Sequence, residues 1–160
     1  MTTATTYAPT NIAFTVPGEP QGKGRARIVR IGGFSRMATP AKTLAYEGLV
    51  AQLAQQAMGG HPLIEGPVAM ECEILFSPPR SASKRARADM LAGVLRPTKK
   101  PDADNVLKAI WDGMNGVVWH DDVQAVDVRV LKRYAEVPGV LVRVARICSS
   151  PVLELERAAA

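Results

Sequence analysis

The sequence predicts a single α+β domain, in which a mixed, largely antiparallel sheet is packed by two main helices. Three observations lead there. The 160 residues fit one domain under the rough prior of about 100 to 200 residues each. Hydrophobic residues make up 47% and charged residues 22%, a globular composition that excludes wholesale disorder, a collagen-like chain or a coiled coil. Four segments read as strands, mostly with the period of two, and two more recur near helical spacing.

Residues 1–11, rich in Thr and Ala without periodicity, read as a flexible arm ahead of a domain at 12–148. Residues 12–16 (IAFTV) form a first strand, stopped by Pro17-Gly18. Residues 18–33 carry Pro20, Gly22, Gly24, Gly32 and Gly33 among arginines, the composition of a mobile basic loop or irregular hairpin. Pro40 opens a helix to Met58, with Leu44, Leu49, Leu53 and Ala57 near helical spacing and Gly59-Gly60 as its stop. Residues 68–76 alternate as a strand with Cys72 on its apolar side. Residues 81–94 make a short, poorly amphipathic helix between Pro78-Pro79 and Pro97. From 104 to 114, Leu107, Ile110, Trp111 and Met114 repeat at i, i+3, i+4 and i+7, the stripe of an amphipathic helix. Residues 123–134 and 139–147 alternate as two long strands, expected to form an antiparallel pair joined at 136–139. Residues 149–160 close the chain as a tail.

No stretch approaches the roughly 20 apolar residues that span a bilayer, and the first eleven residues lack the features of a secretory signal. A cytoplasmic protein with no membrane partner is expected. Cys72 and Cys148 sit singly in apolar stretches, without metal-ligand spacing, and read as reduced core thiols. The net charge of +5 and pI near 9.5 point to an anionic partner.

Charge is also laid out in blocks. Residues 20–40 hold the cations Lys23, Arg25, Arg27, Arg30 and Arg36 and no acid, and residues 80–100 hold Arg80, Lys84, Arg85, Arg87, Arg96, Lys99 and Lys100 against Asp89 alone. Residues 101–127 reverse the sign, with Asp102, Asp104, Asp112, Asp121, Asp122 and Asp127 against Lys108. Charge runs are usually solvated faces, but two basic blocks flanking an acidic one suit a phosphodiester substrate, which needs cations for its backbone and acids for a metal.

Asp102 and Asp104 are two apart, so they converge only if one precedes the helix, as Pro101 favours. Both then sit at a helix N-terminus, where backbone amides favour negative charge. The stripe Asp104, Lys108, Asp112 runs opposite the apolar one. Asp121 and Asp122 open the next strand, where neighbours face opposite ways, so one of them is available to join the pair. Three converging carboxylates require a cation, and Mg²⁺, a hard ion with oxygen ligands, is the natural occupant. The plainer alternative makes Asp102 and Asp104 redundant caps, Lys108 a surface ion pair, and Asp121-Asp122 a solvated turn.

The string Asp102-Ala-Asp104-Asn105, Lys108, Asp112, Asn115-Gly116 and Asp121-Asp122-Val-Gln124 resembles the signature of the RusA family of Holliday junction resolvases, common in phages and prophages. The upstream Pro17-Gly-x-Pro20-x-Gly-Lys23-Gly-Arg25-Ala-Arg27 resembles the opening loop of phage members. The resemblance implies a homodimeric, Mg²⁺-dependent endonuclease, with Mn²⁺ able to substitute, that cuts four-way DNA junctions by paired symmetric nicks in the cytoplasm of a bacterial host. It implies that Asp102, Asp104 and Asp122 are metal carboxylates, Asp121 a supporting acid at the same metal, and Lys108 the catalytic cation. The long basic stretch 80–100 exceeds that of the shortest members.

Lys23, Arg25 and Arg27 lie on a glycine-rich loop with no acid in the segment after Glu19, which favours contact with the DNA backbone over structural ion pairing. Lys99 and Lys100 are further DNA candidates beside Asp102, with Arg85 and Arg87. His120 reads as exposed, Trp111 as core, and Trp119 as either packing or DNA contact. A catalytically idle branched-DNA-binding protein of the same fold is the competing reading, and a small-molecule phosphohydrolase is disfavoured by the basic surface.

Overall fold

The computed structural model describes residues 11–147. Residues 1–10 of the expected arm, Cys148 and the tail 149–160 lie outside the described residues, and Asn11, expected as the arm's last residue, instead opens a strand paired with Ala145. The elements follow as β1 (Asn11–Pro17), β2 (Arg27–Ile31), β3 (Phe34–Ala38), α1 (Ala41–Met58), β4 (Val68–Phe76), α2 (Lys84–Leu91), α3 (Ala103–Met114), a 3-10 turn (Asp122–Gln124), β5 (Ala125–Tyr134) and β6 (Gly139–Arg146). The α+β class is as predicted.

Four strands form one sheet in the order β1-β6-β4-β5. β6 is antiparallel to both β1 and β4, whereas β5 runs parallel to β4. The expected β5–β6 pair is therefore corrected: β4 lies between them. A parallel neighbour needs a long crossover, and here the chain from β4 to β5 supplies it by way of α2 and α3.

Alternation decides which face is covered. Val68, Met70, Cys72, Ile74 and Phe76 of β4 join Val140, Val142 and Val144 of β6 and Ile12 and Val16 of β1 in the core under α1 and α3. Burial pushes the Cys72 thiol up to about 12, so it stays an unreactive core thiol. The opposite face carries an ion-paired ladder in which Arg143 binds Glu71 and Glu73 at 3.1 and 3.2 Å, flanked by Arg129 and Arg133.

α1 turns a different stripe inward from the one expected. Thr43, Tyr46, Val50, Ala54 and Met58 are buried, while Leu49, Leu53 and Ala57 pack alongside and Leu44 is exposed. Close approach explains the choice: a Cβ on Gly113 of α3 would lie 2.7 Å from Val50 Cβ and 2.8 Å from the Glu47 carbonyl oxygen. α3 buries Val106, Ala109, Ile110, Gly113 and Met114, with Leu107 and Trp111 at its margins. α2 buries nothing, as its weak stripe predicts, and is capped by Ser83, whose Oγ accepts from the Ala86 amide.

Candidate active site

α3 starts one residue earlier than expected, which makes Asp102 its N-cap in an extended conformation. Its carboxylate accepts no hydrogen bond from the helix amides, so the redundant-cap reading fails for Asp102. Asp104 stands in the first turn and meets Lys108 one turn on, at 3.6 Å. Both side chains are more than half exposed, and such a pair adds little stability. Its acids and cation are open to a ligand.

The glycine-rich loop seats directly on this helix end. A Cβ at Gly22 would approach Pro101 Cβ to 3.1 Å and Asn105 Cβ to 3.2 Å, and one at Gly24 would meet Thr43 Oγ1 at 2.8 Å. The Lys23 amide donates to the Asn105 carbonyl at 2.8 Å and the Gly24 amide to Thr43 Oγ1 at 3.0 Å. Residues 22–24 are thus docked rather than a free arm, because glycine lets the backbone touch both helices. Between loop and helix opens a cleft of about 570 Å³ lined by Lys23, Arg25, Asp102, Asp104, Asn105 and Lys108. Lys100 lines an adjoining cleft with Asp102 and Arg25.

Lys23 corrects the expectation that the loop cations lack acidic partners. Its Nζ pairs with Asp112, an acid that no reading of the loop alone could supply. Asp112 raises the Lys23 pKa through that hydrogen bond. Glu47 of α1 joins them: burial first, then the Asp112 charge, raises its carboxyl pKa, with Lys23 opposing. One oxygen of Glu47, Oε1, is buried without a hydrogen-bond partner.

Asp121 and Asp122 open a 3-10 turn rather than a strand. Asp121 Oδ1 accepts from the Val123 amide at 3.0 Å, so it acts as a cap. Gln124 holds the turn from both ends: its Oε1 accepts from the His120 amide at 2.9 Å, and its Nε2 donates to the carbonyls of Ile64 and Gly66, each at 2.9 Å. Asp122 is half-buried, and its pKa is raised by desolvation first, then by the neighbouring Asp121 and Asp112 carboxylates.

The acids consequently form two groups, Asp102 and Asp104 at the start of α3, and Asp122 near Asp121 and Asp112. Among the described residues, no three His, Cys, Asp or Glu side chains converge closely enough to hold a metal ion between them. The expected three-carboxylate convergence is not seen in the single chain.

Lys99 is exposed, its Nζ over the Phe76 and Tyr134 rings at 5.4 and 5.9 Å, and unlike Lys100 it does not line either cleft at Asp102. Arg27 is exposed on β2. Trp119 is fully buried, its Nε1 donating to Asn115 Oδ1 at 2.7 Å, which settles it as packing. Trp111 donates to Met70 Sδ. His120 is exposed. Glu47 and Gln124 gained no role from the sequence, though Glu47 interrupts the stripe Thr43, Val50, Ala54, and an acid on a buried stripe is a signal.

The raised Glu47 carboxyl has a stability consequence. The folded state favours its protonated form, so its contribution is fully present below the ordinary value of 4.5 and is lost as pH rises through the higher folded value. Glu47→Gln should therefore melt above the parent at pH 7. The difference should shrink as pH falls toward 4.5, measured by thermal unfolding across that range.

Comparison with known proteins matches residues 17–145 to the family described as Endodeoxyribonuclease RusA. A Bacillus subtilis (strain 168) protein, "Uncharacterized protein YqaN", is 38% identical over 138 residues, covering 85% of this chain and 96% of that protein.

Proposed function

The chain belongs to the RusA endodeoxyribonuclease family, and on that basis we propose that it is a Mg²⁺-dependent nuclease that resolves four-way DNA junctions by paired, symmetric nicks. The observation that carries the reading is the pair Asp102 and Asp104, exposed at the start of α3 beside Lys108 and facing a cleft walled by Lys23 and Arg25. Oxygen donors lie inside and cations around them, the chemistry a phosphodiester needs.

The donor set fits a hard divalent ion. Every candidate ligand is a carboxylate, and Asp102 is not used as a cap. Mg²⁺ commonly takes only one or two carboxylates and completes six ligands with water and phosphate oxygens, which suits acids that do not close a cage. Asp102 and Asp104 would hold the ion from the start of α3, Asp122 would join them only by drawing in from its separate group when the ion binds, Asp121 would support through the turn, and Mn²⁺ could replace Mg²⁺. When bound, such an ion supplies an activated water and charge stabilisation at phosphorus.

The chain's own groups do the rest. Lys108 places a cation one turn from Asp104, where charge grows on the phosphate. Arg25, Arg27, Lys99 and Lys100 hold flanking phosphates, and Lys23 contributes from its pairing with Asp112. Two copies related by a two-fold axis match the symmetry of the junction and present one site to each of two opposing strands. A bacterial cytoplasm, with a phage or prophage source, is the setting this activity fits. No helix among the described residues is long and apolar enough to cross a membrane.

The test is incubation of the purified chain with an end-labelled four-way junction and a linear duplex of the same sequence, with Mg²⁺ or EDTA. Symmetric nicks in the junction alone, lost in EDTA, are expected. Binding without cleavage across several divalent metals would establish an idle junction binder, and equal cutting of the duplex would remove junction specificity.

A further inference from the structure

β2 and β3 form a two-stranded hairpin separate from the main sheet. Its turn is Gly32-Gly33, both at positive φ of 59° and 84°, the backbone of a tight two-residue hairpin turn. A lone two-stranded hairpin normally hides apolar residues against a core. This one exposes them: Phe34 is 75% accessible, Ile28 71% and Met37 68%.

The register places these residues among cations. Ile28 lies opposite Met37, and Arg30 opposite Ser35, on one face of the ribbon. On the other face Val29 lies opposite Arg36 and Arg27 opposite Ala38, with Phe34 beside the turn. Each face therefore pairs apolar surface with guanidinium groups, and the segment from Gly22 to Pro40 holds no acid. An anionic lipid surface would meet the same two chemistries, but the hairpin runs through Ala26 and Arg25 into the cleft at Asp102 and Asp104, which favours DNA. Apolar and aromatic surface flanked by arginines matches nucleic acid whose bases are partly unstacked, because the rings meet base faces and the guanidinium groups meet the adjoining phosphates.

We infer that the β2–β3 hairpin is a branch-point probe: Phe34 packs on unstacked bases where DNA strands diverge, while Arg27, Arg30 and Arg36 hold the flanking phosphates. The inference rests on the junction-binding reading above and adds how the branch is told from continuous duplex. Stacked base pairs in linear DNA offer Phe34 no exposed face, whereas the branch does. The hairpin leads through Ala26 and Arg25 into the cleft at Asp102 and Asp104, so engagement at the branch and placement of the scissile phosphate are joined by one short segment.

The experiment uses the full chain with Phe34→Ala, Phe34→Trp and Arg36→Ala, and measures affinity for a four-way junction and a matched duplex over a salt series in Ca²⁺. A 2-aminopurine at the branch reports stacking, and sedimentation reports oligomeric state. Phe34→Ala should bind the junction about ten-fold more weakly, the scale of one lost base–aromatic stack. Its duplex affinity and salt slope should stay unchanged, and Phe34→Trp should restore both junction affinity and the 2-aminopurine signal. Arg36→Ala should weaken both substrates and lower the salt slope by about one. Unchanged junction affinity in Phe34→Ala, or equal loss on both DNAs, would overturn the inference. So would a shift of Phe34→Ala to a lighter species, which would assign the hairpin to contact with a second copy. Failure of the underlying reading shows separately, as an unmodified chain with no preference for the junction.

Discussion

Asp104→Asn should bind a four-way junction at least as tightly as the unmodified chain and cut it at least about a thousand-fold more slowly. The binding half follows from charge: removing one negative charge from a cleft lined by Lys23, Arg25 and Lys108 lessens repulsion of the phosphate. The catalytic half follows from what the carboxylate would do. A neutral amide is a poor ligand for a hard divalent ion, and a loss of about 4 kcal/mol of transition-state stabilisation corresponds to that rate factor. Asp104 is exposed in the first turn of α3, so stability should move little and the thermal transition should stay near that of the parent. Single-turnover cleavage with Mg²⁺, beside a gel-shift titration in Ca²⁺, measures both halves. Equal loss of binding and cleavage would mean that Asp104 holds the fold or the DNA and no metal.

The adjacent acids give the contrast. Asp122→Asn should resemble Asp104→Asn in rate. Asp121→Asn should not, because Asn caps a turn as well as Asp does and the bond accepted from the Val123 amide survives. Cleavage by Asp121→Asn should remain within about ten-fold of the parent, the lower end of the usual range for groups that support a metal ligand. If both substitutions abolished cleavage equally, Asp121 would be a ligand in its own right.

Local signals in the sequence are enough to find α3 and half of its inner face: Ile110 and Met114 of the predicted stripe are buried, whereas Leu107 and Trp111 lie at its margin and Val106, Ala109 and Gly113 complete the core side. They were also enough for the alternation of β4 and for the short uncommitted α2. What they could not carry is pairing at long range. The parallel β4–β5 neighbours and the contact of Lys23 with Asp112 depend on which distant segment arrives alongside, and neither the loop nor the strand encodes that within itself. The 3-10 turn at Asp122 was hidden for another reason. Val123, Ala125 and Val126 extend the strand pattern, and the side chain of Gln124 overrides it by binding the His120 amide and two carbonyls some 60 residues earlier. The inward stripe of α1 depends on Gly113, whose close approach to Val50 and the Glu47 carbonyl fixes which side of α1 faces α3 once the two helices meet.

Trp119→Ala should cost about 3–5 kcal/mol of stability, the usual range for removing a fully buried large aromatic side chain. For a domain of this size that lowers the melting temperature by roughly 6–20 °C. Trp119 is completely inaccessible, and its backbone carbonyl accepts from the Gly116 amide at 2.8 Å while Ile64 bridges to it from the segment before β4. Trp119→Phe keeps most of the apolar volume but leaves Asn115 Oδ1 without its donor, a loss of about 1–2 kcal/mol. The two variants thus separate packing from the hydrogen bond. The site should feel the larger loss as well, because Gln124 anchors the Asp121-Asp122 turn to the Ile64 carbonyl, and Ile64 is held in turn by Trp119 and the Val118 carbonyl. At a temperature where Trp119→Ala is still folded, cleavage should fall further than junction binding, since the basic loop docks on α1 and α3 at Thr43 and Asn105 and does not depend on this corner. A variant that kept its melting temperature and lost DNA affinity would place Trp119 against DNA and contradict its burial.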